Sequence, residues 1–152
     1  MNYSQFVKQQ EFENVYTLSG DSFLMQKVVE FFTNKFQLDT YDISYFDADS
    51  FSCDKLIESC EQVSFFAKNR LVVVKNLHAL NESEKKKLSA YTKQINPNCA
   101  LLLYDSFNKG LFNLQGVTNI ELSLYDNEIF AFVQKRFNQN GKQISSDAVQ
   151  EL

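Results

Sequence analysis

Arg70-Leu71-Val72-Val73-Val74-Lys75-Asn76 is the stretch that decides the fold. Its centre is apolar at every position, and three of the four central residues are β-branched. A strand with one face in water alternates apolar and polar residues. A run without alternation needs cover on both faces, as the inner strands of a parallel sheet have. Ala100-Leu101-Leu102-Leu103-Tyr104 repeats the pattern downstream.

Upstream, Val15 to Ser19 reads as a short strand, and Gly20 permits a tight turn after it. Asp21 can cap a helix from Ser22 to about Phe36, in which Leu24, Val28, Phe31, Phe32 and Phe36 share one face. Tyr41, Ile43 and Tyr45 alternate with Asp42 and Ser44, which predicts a second strand over Tyr41 to Phe46. A shorter helix is expected from about Asp54 to Val63, with Leu56, Cys60 and Val63 on one side. Between the two apolar runs the spacing predicts a helix from Ser83 to Ile95, turned inward by Leu88, Tyr91 and Ile95 and ended by Pro97. Val117 to Leu122 is a weaker strand.

Strands alternating with helices predict an α/β fold, a three-layer parallel sheet with helices on both faces. Residues 1–123 form that domain. Residues 124–152 begin a small helical lid: Tyr125 to about Asn138 is amphipathic, Asn140-Gly141 stops it, and Ile144 to Val149 opens another helix. The sequence as given stops one turn into that helix, so further helical residues are expected beyond Leu152. No internal repeat or low-complexity segment is present.

Composition narrows the function classes. A hydrophobic fraction of 44% with fifteen Phe supplies a sizeable core. The net charge of −4 gives no global basic field toward nucleic acid. Glu84-Lys85-Lys86-Lys87 is the one basic run, and it reads first as the solvated face of a helix. Cys53, Cys60 and Cys99 include no CxxC, and His78 has no Cys or His at metal-ligand spacing. They read as reduced thiols of a cytoplasmic protein. Met1 to Gln10 carry no apolar run, and the apolar stretches fall far short of the ~20 residues of a membrane span, so neither a leader nor a membrane partner is expected.

A strand-Gly-helix corner raises the question of a phosphate loop. Such a loop needs several glycines, a lysine and a Ser/Thr for magnesium. Leu18-Ser19-Gly20-Asp21-Ser22-Phe23-Leu24 has one glycine, no Lys-Ser/Thr pair, and a carboxylate where phosphate would sit. The buried strand ends in Lys75-Asn76, without the acids that an ATPase places there. No cofactor or catalytic site is therefore expected. Asp47 and Asp49 read as turn residues rather than an acidic pair. The alternative class is a degenerate P-loop or receiver-like domain with a small-ligand or signalling role.

Val63-Ser64-Phe65-Phe66-Ala67-Lys68-Asn69-Arg70 remains to be explained. The adjacent phenylalanines either close the core or project as an apolar anchor for a partner. Gly20-Asp21 with Phe23-Leu24, Ser64-Phe65-Phe66-Ala67 before Arg70-Leu71-Val72-Val73-Val74-Lys75-Asn76, and Leu101-Leu102-Leu103-Tyr104, in this order, resemble the delta subunit of the bacterial DNA polymerase III clamp loader. The likeness runs from about Val15 to Val149.

That resemblance implies an AAA+-type module without an ATP site. The module would bind the ring-shaped sliding clamp through Val63, Ser64, Phe65 and Phe66 and favour its opening for loading onto primed DNA. Where the family often has Leu-Phe, this chain has Phe65-Phe66. The other loader subunits would be reached through a C-terminal collar, and DNA through the complex. As part of a holoenzyme, the chain would be grouped with DNA-directed DNA polymerase.

Overall fold

Five strands form one parallel sheet in a computed structural model that describes residues 1–50, 52–62, 68–106, 114 and 116–123. The elements run α1 (Tyr3–Val7), β1 (Val15–Gly20), α2 (Ser22–Lys35), β2 (Ile43–Asp47), α3 (Cys53–Glu61), β3 (Arg70–Lys75), α4 (Glu82–Thr92), β4 (Cys99–Asp105) and β5 (Thr118–Leu122). Across the sheet the order is β2-β3-β4-β1-β5. The chain leaves β1 for the far edge, steps back through β3 to β4 beside β1, and crosses to the other side of β1 to form β5. Val15 pairs with Leu101, Leu71 with Ala100, and Tyr16 with Thr118, so the two fully apolar runs are neighbours at the centre.

Both faces of these strands are covered. Leu71, Val73, Leu102 and Tyr104 join the core under α1 and α2, together with Leu24, Val28 and Phe32. Val72, Val74, Leu101 and Leu103 join the core under α3 and α4, together with Leu56, Cys60 and Leu88. The whole run from Leu71 to Val74 is inaccessible to solvent, as its lack of alternation requires. Each such aliphatic side chain contributes about 1.5–3 kcal/mol by burial.

The helices start where capping side chains allow. Asp21 Oδ1 accepts from the N–H groups of Phe23 (2.8 Å) and Leu24 (3.1 Å) to open α2. Ser52 caps α3, and Asn81 with Glu84 forms a reciprocal box at the start of α4. Lys86 and Lys87 face solvent on α4, and Lys85 reaches back to Glu82 at 3.5 Å, so the basic run is a solvated helix face.

One element was not anticipated, and one reading needs correction. The polar opening holds a short helix, α1, started by an Asn2–Gln5 capping box and anchored by fully buried Phe6. Phe6 meets the rings of Phe12, Tyr16, Phe31 and Phe32 at 5.1–5.7 Å, and Tyr3 and Val7 pack partly buried against the same core. Glu121 N–H donates to Met1 O (2.7 Å), which straps this N-terminal segment along the β5 edge.

The second strand begins at Ile43 rather than Tyr41, because Thr40–Asp42 forms a 3-10 turn. Tyr41 and Tyr45 are 84% and 50% exposed, while Asp42 is buried and its Oδ2 accepts from Asp39 N–H. β2 is an edge strand; Ile43 packs against the core under α2 and Phe46 against the core under α3. The lid helices expected within residues 124–152 lie outside the described residues, as does Val63.

Candidate functional site

A parallel sheet has two chemically different ends. In open α/β folds a ligand crevice forms at the carboxyl ends of the strands. Here Gly20 closes β1 with φ 113°, and its carbonyl accepts from Tyr104 Oη at 2.7 Å. A Cβ at Gly20 would lie 2.1 Å from Leu122 O, and Asp21 N–H donates to that same oxygen at 3.0 Å. The corner is therefore tied to β5 on one side and to β4 on the other. Two first-turn N–H groups of α2, which could have met an anion, already bond the Asp21 carboxylate.

The remaining acids at this end hold the backbone. Asp105 is fully buried at the end of β4; its Oδ2 accepts from His78 N–H at 2.8 Å and lies 2.9 Å from His78 Nδ1. A buried carboxylate needs such partners, and these fix the 3-10 turn Leu77–Ala79. Asp47 accepts from Asp49 N–H (3.0 Å) and Asn76 Nδ2 (3.0 Å), and these bonds hold its carboxyl below the usual range. Asp47 and Asp49 thus make a turn. Among the described residues no group of three or more His, Cys, Asp or Glu could hold a metal. All three cysteines are buried and free, and the Cys60 thiol is pushed up by its hydrogen bond to Cys99 and by burial.

The amino ends of the strands carry the other candidate. Val63, Ser64, Phe65 and Phe66 lie outside the described residues, but the frame on either side is defined. Gln62 and Lys68 are both exposed. Gln62 N–H donates to Ser59 O at 3.3 Å and closes α3. Beside it Phe46, Lys55, Glu58, Ser59, Glu61 and Gln62 line a cleft of about 500 Å³.

Arg70, at the head of β3, is buried. Its Nε donates to Ser59 O (3.2 Å), Nη1 to Tyr41 O (3.4 Å) and Nη2 to Ser44 Oγ (2.9 Å). Asn96 Nδ2 donates to Cys60 O at 3.3 Å, and Arg70 N–H to Asn98 O at 2.8 Å. Sequence reasoning missed this brace. The one available signal was an arginine opening an otherwise apolar strand.

The family model for DNA polymerase III, delta subunit, matches residues 16–112. The chain belongs to that family. The delta-family match covers both ends of the sheet just described, the Gly20 corner and the segment before Arg70. In solved structures the fold is similar to the Bacillus subtilis DNA clamp loader delta protein, with a TM-score of 0.65 at 22% identity, over 98% of this chain and 50% of that one. It is also similar to a DNA polymerase III gamma subunit-related protein from Thermotoga maritima, with a TM-score of 0.60 at 11% identity, over 90% of this chain and 50% of that one. The chain therefore spans half the length of both. No curated protein sequence matches it.

Proposed function

We propose that this chain is the clamp-binding module of a cytoplasmic clamp loader, acting in DNA replication by protein contact rather than by catalysis. The observation that carries this reading is the delta-family match over residues 16–112, which runs through Val63, Ser64, Phe65 and Phe66. These residues are the anchors, with the sliding clamp as partner. The other loader subunits join through a collar outside this sequence, and DNA is reached through the complex.

The carboxyl end of the sheet supports the same reading. With Asp21 already on the first-turn amides of α2, a phosphate would have to displace a covalently tethered carboxylate and would be repelled by it. That disfavours the alternative of a small-ligand or signalling domain. Work at this module then comes from binding, and it can open a ring only if it binds the open form more tightly than the closed one.

The test is surface plasmon resonance of the chain on the sliding clamp of the same organism, beside a Phe65→Ala/Phe66→Ala double variant. Burying each Phe in a partner pocket is worth ~1.5–3 kcal/mol, so the double variant should lose at least about thirtyfold in affinity. Equal binding by both would remove the anchors from the account. No binding by the wild type at high micromolar clamp would reduce the likeness to one of fold.

A further inference from the structure

Arg70 is an expensive way to fill a buried position. A guanidinium taken out of water costs several kcal/mol unless its charge is balanced, and an apolar residue of similar volume often gives a more stable protein. Among the described residues the Arg70 acceptors are two carbonyls and a hydroxyl, with no carboxylate. What an apolar residue cannot do is reach three elements at fixed angles. The planar fork does so here, holding the last turn of α3, the turn before β2, and β2 itself, all from the head of β3. The Ser59 carbonyl belongs to the negative end of α3, which favours a cation there. Asn96 adds a parallel tie to the next carbonyl of that turn, Cys60 O, while its own Oδ1 accepts from Asn98 N–H at 3.1 Å.

These bonds tie down the end of α3, just before residues 63–69 in the chain, and the head of β3, just after them. We infer that Arg70, seconded by Asn96, is a positioning residue for clamp binding. It fixes the separation and direction of the ends of α3 and β3 that flank residues 63–69, so that this frame is already in place when the clamp is met. The inference rests on the proposed clamp-binding reading. Neither residue has to touch the clamp for this. If losing the brace leaves a tenth of the molecules with the frame in its binding geometry, the apparent affinity falls about tenfold.

The experiment sets wild type, Arg70→Gln and Asn96→Ala beside Asp21→Ala. Asp21 lies at the opposite end of the sheet, so its variant loses stability without touching the brace. All are studied at a temperature where far-UV circular dichroism shows each fully folded. Clamp affinity is read by surface plasmon resonance, and the frame by amide hydrogen exchange over residues 58–62, which include the Gln62 N–H.

The expected result is about tenfold weaker binding for Arg70→Gln, about threefold for Asn96→Ala, and faster exchange over residues 58–62 in both, with Asp21→Ala unchanged in each. Asn96→Ala keeps the test decisive if Arg70→Gln does not fold. Faster exchange with affinity within twofold of wild type would overturn the inference, as would unchanged exchange. If Asp21→Ala weakened binding equally, the effect would be one of stability and the inference would fail. A wild type that does not bind the clamp at all would instead remove the underlying reading, an outcome visible before any variant is compared.

Discussion

Two residues at the carboxyl end of β1 tie that corner to its neighbours. Gly20 holds a left-handed φ with Leu122 O where a Cβ would be, and Asp21 bonds the first amides of α2. Gly20→Ala should cost about 1–3 kcal/mol from backbone strain alone, and more where β5 has to shift. A thermal melt should show the drop, and an unchanged midpoint would contradict this geometry. Asp21→Ala should cost about 1 kcal/mol by urea denaturation, whereas Asp21→Asn should cost only a few tenths, because the amide oxygen still caps. Equal losses would mean that charge rather than the hydrogen bonds holds the cap. This corner was legible in the sequence, since one glycine, one aspartate and a missing lysine are local facts. Arg70 was not, because an arginine at the start of a strand reads as a solvated end residue until the acceptors around it are known.

Among the elements, those read correctly are the ones whose pattern reports burial. Leu71-Val72-Val73-Val74 and Ala100 to Tyr104 could only be inner strands, and Leu24, Val28 and Phe32 only a covered helix face. β2 was placed two residues early because Tyr41 and Tyr45 alternate with polar residues as core positions do, yet both are exposed at the sheet edge. α1 was missed because it is only five residues long and its one fully buried residue, Phe6, meets aromatics distant in sequence. α3 and α4 are joined by Tyr91 Oη, which donates to Glu61 Oε1 at 2.5 Å. Burial and that bond push the Tyr91 phenol above its ordinary value. A raised folded pKa means that the contribution is complete below the unfolded value, about 10, and is lost as pH rises through the folded one. The fall in stability between pH 8 and pH 11 should therefore be larger in wild type than in Tyr91→Phe by urea denaturation. Equal falls would show that the bond is not linked to folding.

Among the described residues, the carboxyl end of the sheet has its β1–α2 corner capped by Asp21, and in the proposed account the other end is turned to a partner. Millimolar Mg-ATP should then leave the melting midpoint unchanged, whereas a domain binding nucleotide at 100 times its Kd would gain about 2.7 kcal/mol. A clear upward shift would favour a nucleotide-binding role. The layered α/β class and the absent phosphate-loop motif were legible from residue pattern, while the partner surface rested on resemblance. A short apolar anchor between polar neighbours carries no periodicity that separates a core plug from a docking residue.

The central claim is that this module binds the sliding clamp and favours its open form. The most direct test compares affinity for the closed ring with affinity for a clamp variant that no longer closes into a ring. The account predicts at least about tenfold tighter binding to the variant, since only a difference in affinity moves the equilibrium. Equal affinity for both, or binding to neither, would contradict it.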